Sequence, residues 1–470
     1  MYSKNQVHLR GACSKLFWVP FVAVVAIMNG KLLFITFVAA LGGFLFGFDT
    51  AVISGTDPFV VPYFGLSDNQ WGFTVASALL GTIVGSISAG LPADRIGRRN
   101  SLFIAAVLYL ISALGCALAP NWAILVASRL VGGIGVGLAS VLSPMYIAEV
   151  SPSRLRGRLV ALAQLNIVIG IVVAYFSNDA LISMENNWRY MFGVEAVPAA
   201  LFLALLFFVP RSPRWLVSRE CMEEAGIILN GIYSDPDQAQ KVLSEIKDSL
   251  QSINKKADFK LLFSSHYRYV TLLVVLFASF NQLTGINVFI YYAPRIFELT
   301  GLSAKEAIWQ TFLSVGVTNL IFTVLAMFAI DRFGRKMLMY TGTVGLIASL
   351  SLMSYAYFSQ SFDKYSVMFY LIGFIASFAF SQGAVCWVFM AEVFPNQLRN
   401  HGQSLGAFTH WTFNFGISLV FPGLVTTLGG GIVFAFFALM MVLQFFYVWK
   451  MMPETRGKSL EALQKELVAS

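Results

Sequence analysis

Long apolar stretches dominate the sequence and are separated by short groups of charged residues, glycine or proline. Most are close to the roughly 20 residues that a helix needs to cross the apolar part of a bilayer. Continuous runs such as 199–209 and 271–280 lack the alternation of a membrane β-barrel strand. The pattern therefore predicts helical spans at 32–54, 71–91, 101–119, 122–148, 159–177 and 190–209, and, after a polar stretch, at 269–293, 308–329, 338–358, 366–391, 402–427 and 430–449.

These spans form two groups of six, which predicts an all-α membrane protein with six-helix bundles at 32–209 and 268–452. Between them, 210–267 carries apolar residues at helical spacing among charged ones, which predicts short amphipathic helices on the cytoplasmic face. About 50 residues are too few for an independent core, so no separate enzymatic domain is expected there. Residues 453–470 form a short tail.

Residues 1–31 form an N-terminal extension with a shorter apolar run from Leu16 to Met28. That run is too short for a span. A signal peptide would fit the basic residues before it, but no small-residue cleavage site follows cleanly. We favour an interfacial segment, or an extension upstream of a start at Met28, because a thirteenth span would invert every loop.

Charge decides the orientation of the spans. Hydrophobic residues make up 57% of the chain and charged residues 12%, which excludes a water-soluble globule. Of the 32 Lys and Arg, 23 lie in the C-terminal tail and the loops that would share one side with both termini, and the opposite loops hold Arg189, Arg295, Lys305 and Lys364. Positive charge marks the cytoplasmic side, so both termini are predicted to be cytoplasmic. The net charge of +8 then needs no nucleic-acid partner.

An internal repeat relates the two halves. AEVSP at 148–152 recurs as AEVFP at 391–395, and PRSPR at 210–214 recurs as PETRG at 453–457, both after 243 residues. DRIGRR at 94–99 recurs as DRFGRK after 237 residues. Parallel six-helix repeats are typical of transporters whose halves rock about a site at the bilayer midplane.

These motifs also carry a family resemblance. GLPADRIGRR, AEVSPSRLRGR, PRSPRWL, DRFGRK, AEVFPNQLR and PETRGKSLEAL resemble the signatures of the sugar porter family of the major facilitator superfamily, and the match runs from about Leu32 to Leu463. That family includes bacterial xylose, arabinose and galactose proton symporters and animal facilitative glucose transporters. One departure is Arg211, because the family usually has Glu there.

The resemblance implies the twelve-helix major facilitator fold and a proton-coupled monosaccharide symporter of the D-xylose type. Such a protein would work by alternating access in the inner membrane, as a monomer, with the proton as coupling ion and without a cofactor or metal. A facilitative sugar uniporter is the main alternative. A sugar sensor is a weaker one, since sensors typically have long cytoplasmic extensions. An enzyme is not expected, because the sequence has no nucleophile–base cluster and no metal-ligand spacing.

Charged residues of the repeated loops form the first candidate site. A solvated turn that follows the charge rule would explain the basic residues alone. Carboxylates beside arginines at helix ends can also form ion pairs when two halves close and lose them when the halves part. We therefore predict a cytoplasmic latch made of Asp94, Arg98, Glu149, Arg156, Asp331, Arg335, Glu392 and Arg399.

Asp49 is the second candidate, because a charge at a helix centre costs roughly 2.5–3.5 kcal/mol in a membrane. A helix-end cap would be simpler, but apolar residues follow at 51–53. The string GFLFGFDT at 43–50 resembles the first helix of proton-coupled members, in which this Asp is the protonation site. The intramembrane Arg129 is its natural partner, and Glu195 is a third member unless it lies at an interface.

Span 7 carries the third candidate, NQLTGIN at 281–287. On a straight helix Gln282 and Asn287 would lie about 140° apart. They can face one ligand only if the helix breaks, which Gly285 and Pro294 permit. The segment resembles the family's sugar-binding helix, with Asn281 in place of the usual first Gln. Polar contacts between helices are the alternative interpretation.

Amides suit a sugar because they donate and accept hydrogen bonds, and indole rings cover its C–H face. The resemblance implies a sugar site at Gln164, Gln282, Asn287, Asn319, Trp387 and Trp411, with Phe46, Asn281, Tyr292, Gly383 and Asn414 as neighbours. His410 stands where relatives carry an amide, and it is either a sugar contact or a core histidine.

Overall fold

The computed structural model describes residues 30–152, 155–233, 235–251, 259–360, 363–394 and 398–456. In these ranges twelve helical segments are long and apolar enough to cross a membrane. We number them spans 1 to 12: Gly30–Phe64, Asp68–Arg95, Arg98–Ala117, Trp122–Val150, Gln164–Leu181, Asn187–Phe208, Arg268–Glu298, Ala304–Ile330, Arg335–Phe358, Tyr365–Glu392, His401–Leu428 and Gly430–Lys450. The predicted twelve spans and the all-α fold are confirmed.

Several helices extend beyond their apolar stretches. Span 1 ends at Phe64 instead of near residue 54, and it passes through Pro58 and Pro62. Membrane helices tolerate proline because neighbouring helices satisfy the freed backbone groups. Local capping fixes other boundaries: Ser67 accepts a hydrogen bond from the Gln70 backbone in a capping box and so starts span 2.

The repeat seen in the sequence is also a structural repeat. In each half the first span packs against the fifth, the second against the fourth, and the third against the fourth and sixth. The loop before the third span of each half turns at a glycine in the same unusual conformation, with φ of 88° at Gly97 and 89° at Gly334. A residue with a side chain rarely adopts this φ, so both halves require glycine there.

Short helices connect the halves, as predicted. A 3-10 helix, Phe259–Phe263, packs against spans 7 and 11 of the second half. Three α-helices pack on the first half: Pro213–Ser218, Met222–Ile232 and Pro236–Gln251. Leu216, Ala225 and Ile228 from these helices are buried in the apolar core of the first half. The predicted extension at 1–31 and the tail at 453–470 lie almost wholly outside the described residues.

Two ends of the molecule can now be distinguished. The basic end carries the linker helices and the loops at Gly97 and Gly334, since Trp215 of the linker donates a hydrogen bond to the Asp94 carbonyl oxygen at 3.1 Å. The opposite end carries the turns that join span 1 to span 2 and span 7 to span 8.

Three apolar clusters show how the halves meet. One cluster at the basic end contains residues of the first half and the linker only, and a second contains residues of the second half together with Leu262 of the linker. The third lies towards the opposite end and joins both halves, for example Trp71 and Tyr175 with Tyr292 and Phe421. The halves are therefore packed together at the opposite end and separate at the basic end.

Spans 1 and 2 of the first half make most of this junction, packing against spans 7 and 11. The backbone approach is close where span 2 meets span 11, since a Cβ atom at Gly72 would collide with the Leu419 carbonyl oxygen. Only glycine fits there without moving one helix. Span 5 also packs against span 8.

Candidate functional site

Asp49 and Arg129 form a buried ion pair inside the first half. Nη1 of Arg129, on span 4, donates to Asp49 Oδ1 at 2.7 Å and to the Asp49 backbone oxygen at 3.3 Å. The Asp49 side chain is 4% exposed and the Arg129 side chain is 2% exposed. In such a pair, removal or neutralisation of one partner leaves the other as an uncompensated buried charge. The predicted partnership is therefore present in the structure.

Glu195 lies close to this pair. It occupies the turn between two helical segments of span 6, Asn187–Gly193 and Ala196–Leu205. Its side chain is buried inside the bundle, near enough to interact electrostatically with Asp49 and Arg129. Its Oε1 accepts no hydrogen bond from any described residue. The structure thus brings the three predicted coupling residues together in one half.

Span 7 breaks where the sequence indicated. Its first helix ends at Leu283 and its second begins at Ile286, with Gly285 in the left-handed region at φ 80°. Across the break, Nδ2 of Asn287 donates a hydrogen bond to Oε1 of Gln282 at 2.6 Å. The two amides that a straight helix would separate therefore share one surface.

An amide cluster forms around Gln282. Its Nε2 donates to Oδ1 of Asn281 at 2.8 Å and lies 3.2 Å from the ring nitrogens of His410. The His410 ring lies between two indoles, 5.1 Å from Trp387 and 5.1 Å from Trp411 by ring centroids. His410 is therefore a member of the cluster, which the sequence left open.

Aromatic residues extend this cluster towards the first half. Phe46 on span 1 packs against Trp411 on span 11 with ring centroids 5.6 Å apart. Asn414, one turn after Trp411, is buried, accepts a hydrogen bond from Ser418 at 3.1 Å and contacts the Tyr291 hydroxyl. These contacts place Phe46 and Asn414 beside the predicted sugar residues.

Tyr292 has a different environment. Its hydroxyl donates to the Ser418 backbone oxygen at 2.9 Å and its ring packs against Phe421, so it joins span 7 to span 11. The neighbouring Tyr291 lines the pocket near Asp49. Adjacent helical residues point about 100° apart, and the sequence alone could not show which tyrosine faces inward.

Three further predicted residues lie on spans 5, 8 and 10 and are half-buried: Gln164, Asn319 and Gly383. Asn319 follows a π-helical turn at Phe312–Val317, and Gly383 ends a second one at Ala379–Gly383. Such turns are frequent at functional sites. In the described chain, neither the Gln164 amide nor the Asn319 amide is hydrogen-bonded to the Gln282 cluster. Asn319 accepts a hydrogen bond from Thr323 at 3.3 Å.

One pocket connects the ion pair with the aromatic cluster. Asp49, Arg129, Phe46, Tyr291 and Trp411 all line it. The buried acid and the wall of the predicted sugar site therefore face the same space, although one belongs to span 1 and the other to span 11. A change of charge at Asp49 can act directly on this space.

The charged loop residues form two equivalent groups at the basic end. In the first half, Arg98 Nε lies 3.0 Å from Glu149 Oε1 and its Nη1 lies 3.6 Å from Asp94 Oδ1. In the second half, Arg335 Nη2 lies 2.9 Å from Glu392 Oε1. Between described residues, these ion pairs stay within one half and do not cross to the other.

The remaining predicted latch residues are not paired in this way. Arg156 is exposed and forms no ion pair with a described residue. Arg399 Nε and Nη2 are buried without a hydrogen-bond partner among the residues the structure covers. The side chain of Asp331 lies outside the described part of the chain. Since the basic ends of the halves are apart here, a latch between them stays a prediction.

Comparison with known proteins decides the family. The family described as "Sugar (and other) transporter" matches residues 35–467. The chain belongs to this family. The resemblance drawn from the sequence motifs is confirmed.

Relatives in this transporter family match over nearly their whole length. The D-xylose-proton symporter of Escherichia coli strain K12 is 41% identical over 473 residues, covering 92% of this chain and 94% of that protein. The arabinose-proton symporter of Bacillus subtilis is 35% identical, covering 93% and 95%. The galactose-proton symporter of E. coli strain K12 is also 35% identical, covering 93% and 94%.

Solved structures confirm the major facilitator fold. The inward open conformation of the xylose transporter XylE from E. coli has 38% identity and a TM-score of 0.82, covering 93% of this chain and 100% of that one. XylE bound to 6-bromo-6-deoxy-D-glucose has 39% identity and a TM-score of 0.78, covering 93% and 99%. The higher score for the inward open form agrees with the separation of the halves at the basic end.

Proposed function

We propose that this transporter is a proton-coupled symporter for a monosaccharide of the D-xylose type. The observation that carries the proposal is the Asp49–Arg129 ion pair in the pocket lined by Phe46 and Trp411. It joins a protonatable group to an aromatic wall, and Trp411 of that wall packs against His410 of the amide cluster. Relatives named D-xylose-, arabinose- and galactose-proton symporters support the same activity.

The amide cluster supplies the sugar contacts. A sugar hydroxyl both donates and accepts, and the amides of Gln282, Asn281 and Asn287 offer both kinds of group. The Trp387 and Trp411 indoles would lie against the apolar C–H face of the ring. The proposed set comprises Gln164, Gln282, Asn287, Asn319, Trp387 and Trp411, with Phe46, Asn281, Gly383 and Asn414 as neighbours, Tyr291 in place of Tyr292 because it lines the pocket, and His410 added from its contact with Gln282.

The ion pair supplies the coupling. When Asp49 takes up a proton, its attraction to Arg129 weakens and span 1 is held less firmly to span 4. The halves then rearrange around bound sugar, and the proton leaves from the cytoplasmic side. Renewed attraction between Asp49 and Arg129 favours the return of the empty carrier. Glu195 is buried beside both groups and is close enough to interact electrostatically with them.

Symport is favoured over uniport by this charge arrangement. A uniporter needs no titratable group in its pocket, and a buried carboxylate in a membrane carries a free-energy cost. Here the carboxylate faces the pocket and its charged state is stabilised by a single arginine. Protonation of Asp49 therefore changes the balance of charge at the place where sugar would bind.

The charge distribution also supports a topology. With the basic end in the cytoplasm, both termini lie on that side and the opposite end faces the outside. We place the protein in the inner membrane as a monomer, since the two halves of one chain supply every residue of the proposed site.

Transport in reconstituted vesicles tests the function. Purified protein in liposomes should take up labelled D-xylose faster under an inward proton gradient, and added sugar should make a weakly buffered outer solution more alkaline. Liposomes without protein and liposomes treated with a protonophore are the controls. Sugar uptake without proton movement would establish uniport instead. Failure to transport D-xylose or to exchange any competing pentose or hexose would overturn the proposal.

A further inference from the structure

A second charged group joins the halves at the opposite end. Arg295 on span 7 reaches two carboxylates of the first half: its Nε lies 2.6 Å from Asp57 Oδ2, and its Nη1 lies 3.0 Å from Asp68 Oδ1. Asp57 belongs to span 1 and Asp68 opens span 2. One arginine of the second half thus holds two helices of the first.

Further hydrogen bonds hold the two carboxylates of this group in place. Asp57 is 4% exposed and also accepts a hydrogen bond from Trp71 Nε1 at 2.9 Å. The second oxygen of Asp68 accepts from the hydroxyl of Thr426 on span 11 at 2.7 Å. Spans 1 and 2 are therefore tied to spans 7 and 11 by charge-assisted bonds, which are stronger than bonds between neutral groups.

The position of the group determines what it can do. In the described chain, the ion pairs that cross between the halves lie only at the opposite end, whereas those at the basic end stay within one half. Opening the pocket towards the opposite end requires spans 1 and 2 to part from spans 7 and 11. That movement must break the Arg295 contacts, whereas no ion pair between described residues crosses from one half to the other at the basic end.

We propose that Asp57, Arg295 and Asp68 form an extracellular latch that holds the transporter closed to the outside. This inference rests on the proposed function for its direction, because alternating access and the basic-end-inside topology make the opposite end extracellular. The latch biases the resting carrier towards the inward-facing state, and sugar and proton must act against it to open the outer side.

The latch predicts an order among variants. Arg295→Gln leaves two carboxylates facing each other without a counter-charge, so it should open the outer end most. Asp57→Asn keeps the Arg295–Asp68 contact and should open it less. Arg295→Lys keeps the positive charge but lacks the planar guanidinium that reaches both carboxylates. Its outward-open population should therefore lie between those of wild type and Arg295→Gln. We expect the outward-open population to rise about tenfold or more in Arg295→Gln, because an unpaired buried charge strongly disfavours the closed state.

Pulsed electron paramagnetic resonance measures this population directly. Spin labels at Met184 and Leu428, which are 49% and 51% exposed on opposite halves, report the separation of the outer end in a background without the four native cysteines. Lys305→Gln is the matched control, since Lys305 lies at the same end of the same half and forms no ion pair with a described residue.

The expected result is a longer-distance population in the order stated, with Lys305→Gln at the wild-type distribution. A wild-type distribution in both Arg295→Gln and Asp57→Asn would overturn the latch, and so would an equal shift in Lys305→Gln. Asp57→Asn and Arg295→Lys keep the test open if Arg295→Gln does not fold. The distances need neither sugar nor a proton gradient, so failure of the latch and failure of the symport proposal give different results.

Discussion

Ser212 and Thr455, 243 residues apart, occupy the same place in the two halves. The Ser212 hydroxyl donates a hydrogen bond to Glu149, and the Thr455 hydroxyl donates one to Glu392 at 2.6 Å. Each glutamate in turn binds the arginine of its own half, Arg98 or Arg335. The three-residue arrangement is therefore repeated within the recurring motifs of the two halves.

The residue that precedes each of these hydroxyl-bearing residues differs between the halves, and in the second half its behaviour predicts a dependence of stability on pH. Glu454 accepts hydrogen bonds from the backbone N–H groups of Arg335 at 3.1 Å and Lys336 at 3.0 Å, at the start of span 9. Burial alone would raise the pKa of Glu454, but backbone hydrogen bonds from Arg456, Lys336, Arg335 and Thr455 lower it overall. The ionised carboxylate therefore stabilises the helix start.

Because the pKa of Glu454 is lowered in the folded protein, its contribution is complete above its ordinary value of about 4.3 and is lost as pH falls through the lowered value. Glu454→Gln should therefore reduce the melting temperature at pH 7, and the difference from wild type should shrink below about pH 4. Thermal unfolding in detergent measures both. A difference that does not change with pH would contradict the role of the charge.

Arg211 occupies the position equivalent to Glu454 and cannot accept these hydrogen bonds. It lies 3.6 Å from Glu224 instead, with both side chains close to half exposed. Such an exposed pair contributes little to stability. Arg211→Glu should place a carboxylate at the start of span 3 and stabilise the protein by roughly 0.3–1 kcal/mol.

The same thermal unfolding measures this gain, with Arg211→Gln as the control that removes the positive charge without adding an acceptor carboxylate. Equal melting temperatures for Arg211→Glu and Arg211→Gln would show that a carboxylate at this position does not stabilise the start of span 3.

Gln282 and Asn287 predict a shared loss of sugar affinity. Each replacement by Ala should weaken sugar binding about fivefold to tenfold, the effect of about 1 kcal/mol for a lost hydrogen bond. Since the two amides bond to each other at 2.6 Å, the double variant should lose less than the sum of the single losses. Titration calorimetry with D-xylose measures all three. Unchanged affinity in both single variants would remove span 7 from the sugar site.

The variant Asp49→Asn should separate sugar binding from proton coupling. Asn resembles the protonated acid in shape and hydrogen bonding but cannot release a proton. The variant should bind and exchange sugar in proteoliposomes yet fail to accumulate it against a gradient. Accumulation by Asp49→Asn would show that the coupling site lies elsewhere.

Lys247 tests the orientation of the whole chain. Its side chain is exposed on the linker helix Pro236–Gln251, which lies at the basic end. A membrane-impermeant amine reagent should label Lys247 in inside-out vesicles and not in intact cells. Labelling from the outside would reverse the topology.

Much of the fold could be predicted because its causes are local. Hydropathy marks each span, and the break in span 7 follows from two amides at a separation that a straight helix cannot bring together, with Gly285 between them. Asp49 could be found because an acid within an apolar run needs a physical reason.

The extracellular latch could not be predicted from the sequence in this way. Asp57 and Arg295 are far apart in the sequence, and each lies close to the end of its apolar stretch, where a charged residue is unremarkable. Hydropathy ends span 7 before Arg295 and so predicts a loop position for this residue, whereas the helix continues to Glu298. Their contact follows only from the packing of span 1 against span 7.

The apolar cluster shared at the opposite end has a consequence for the connection between the halves. Trp71, Tyr175, Tyr292 and Phe421 hold the halves together without help from the three linker helices between residues 213 and 251, which pack on the first half. A chain cut within the linker would therefore still form a two-fragment complex. The two bundles, made as separate polypeptides in the same membrane, would find each other through this cluster.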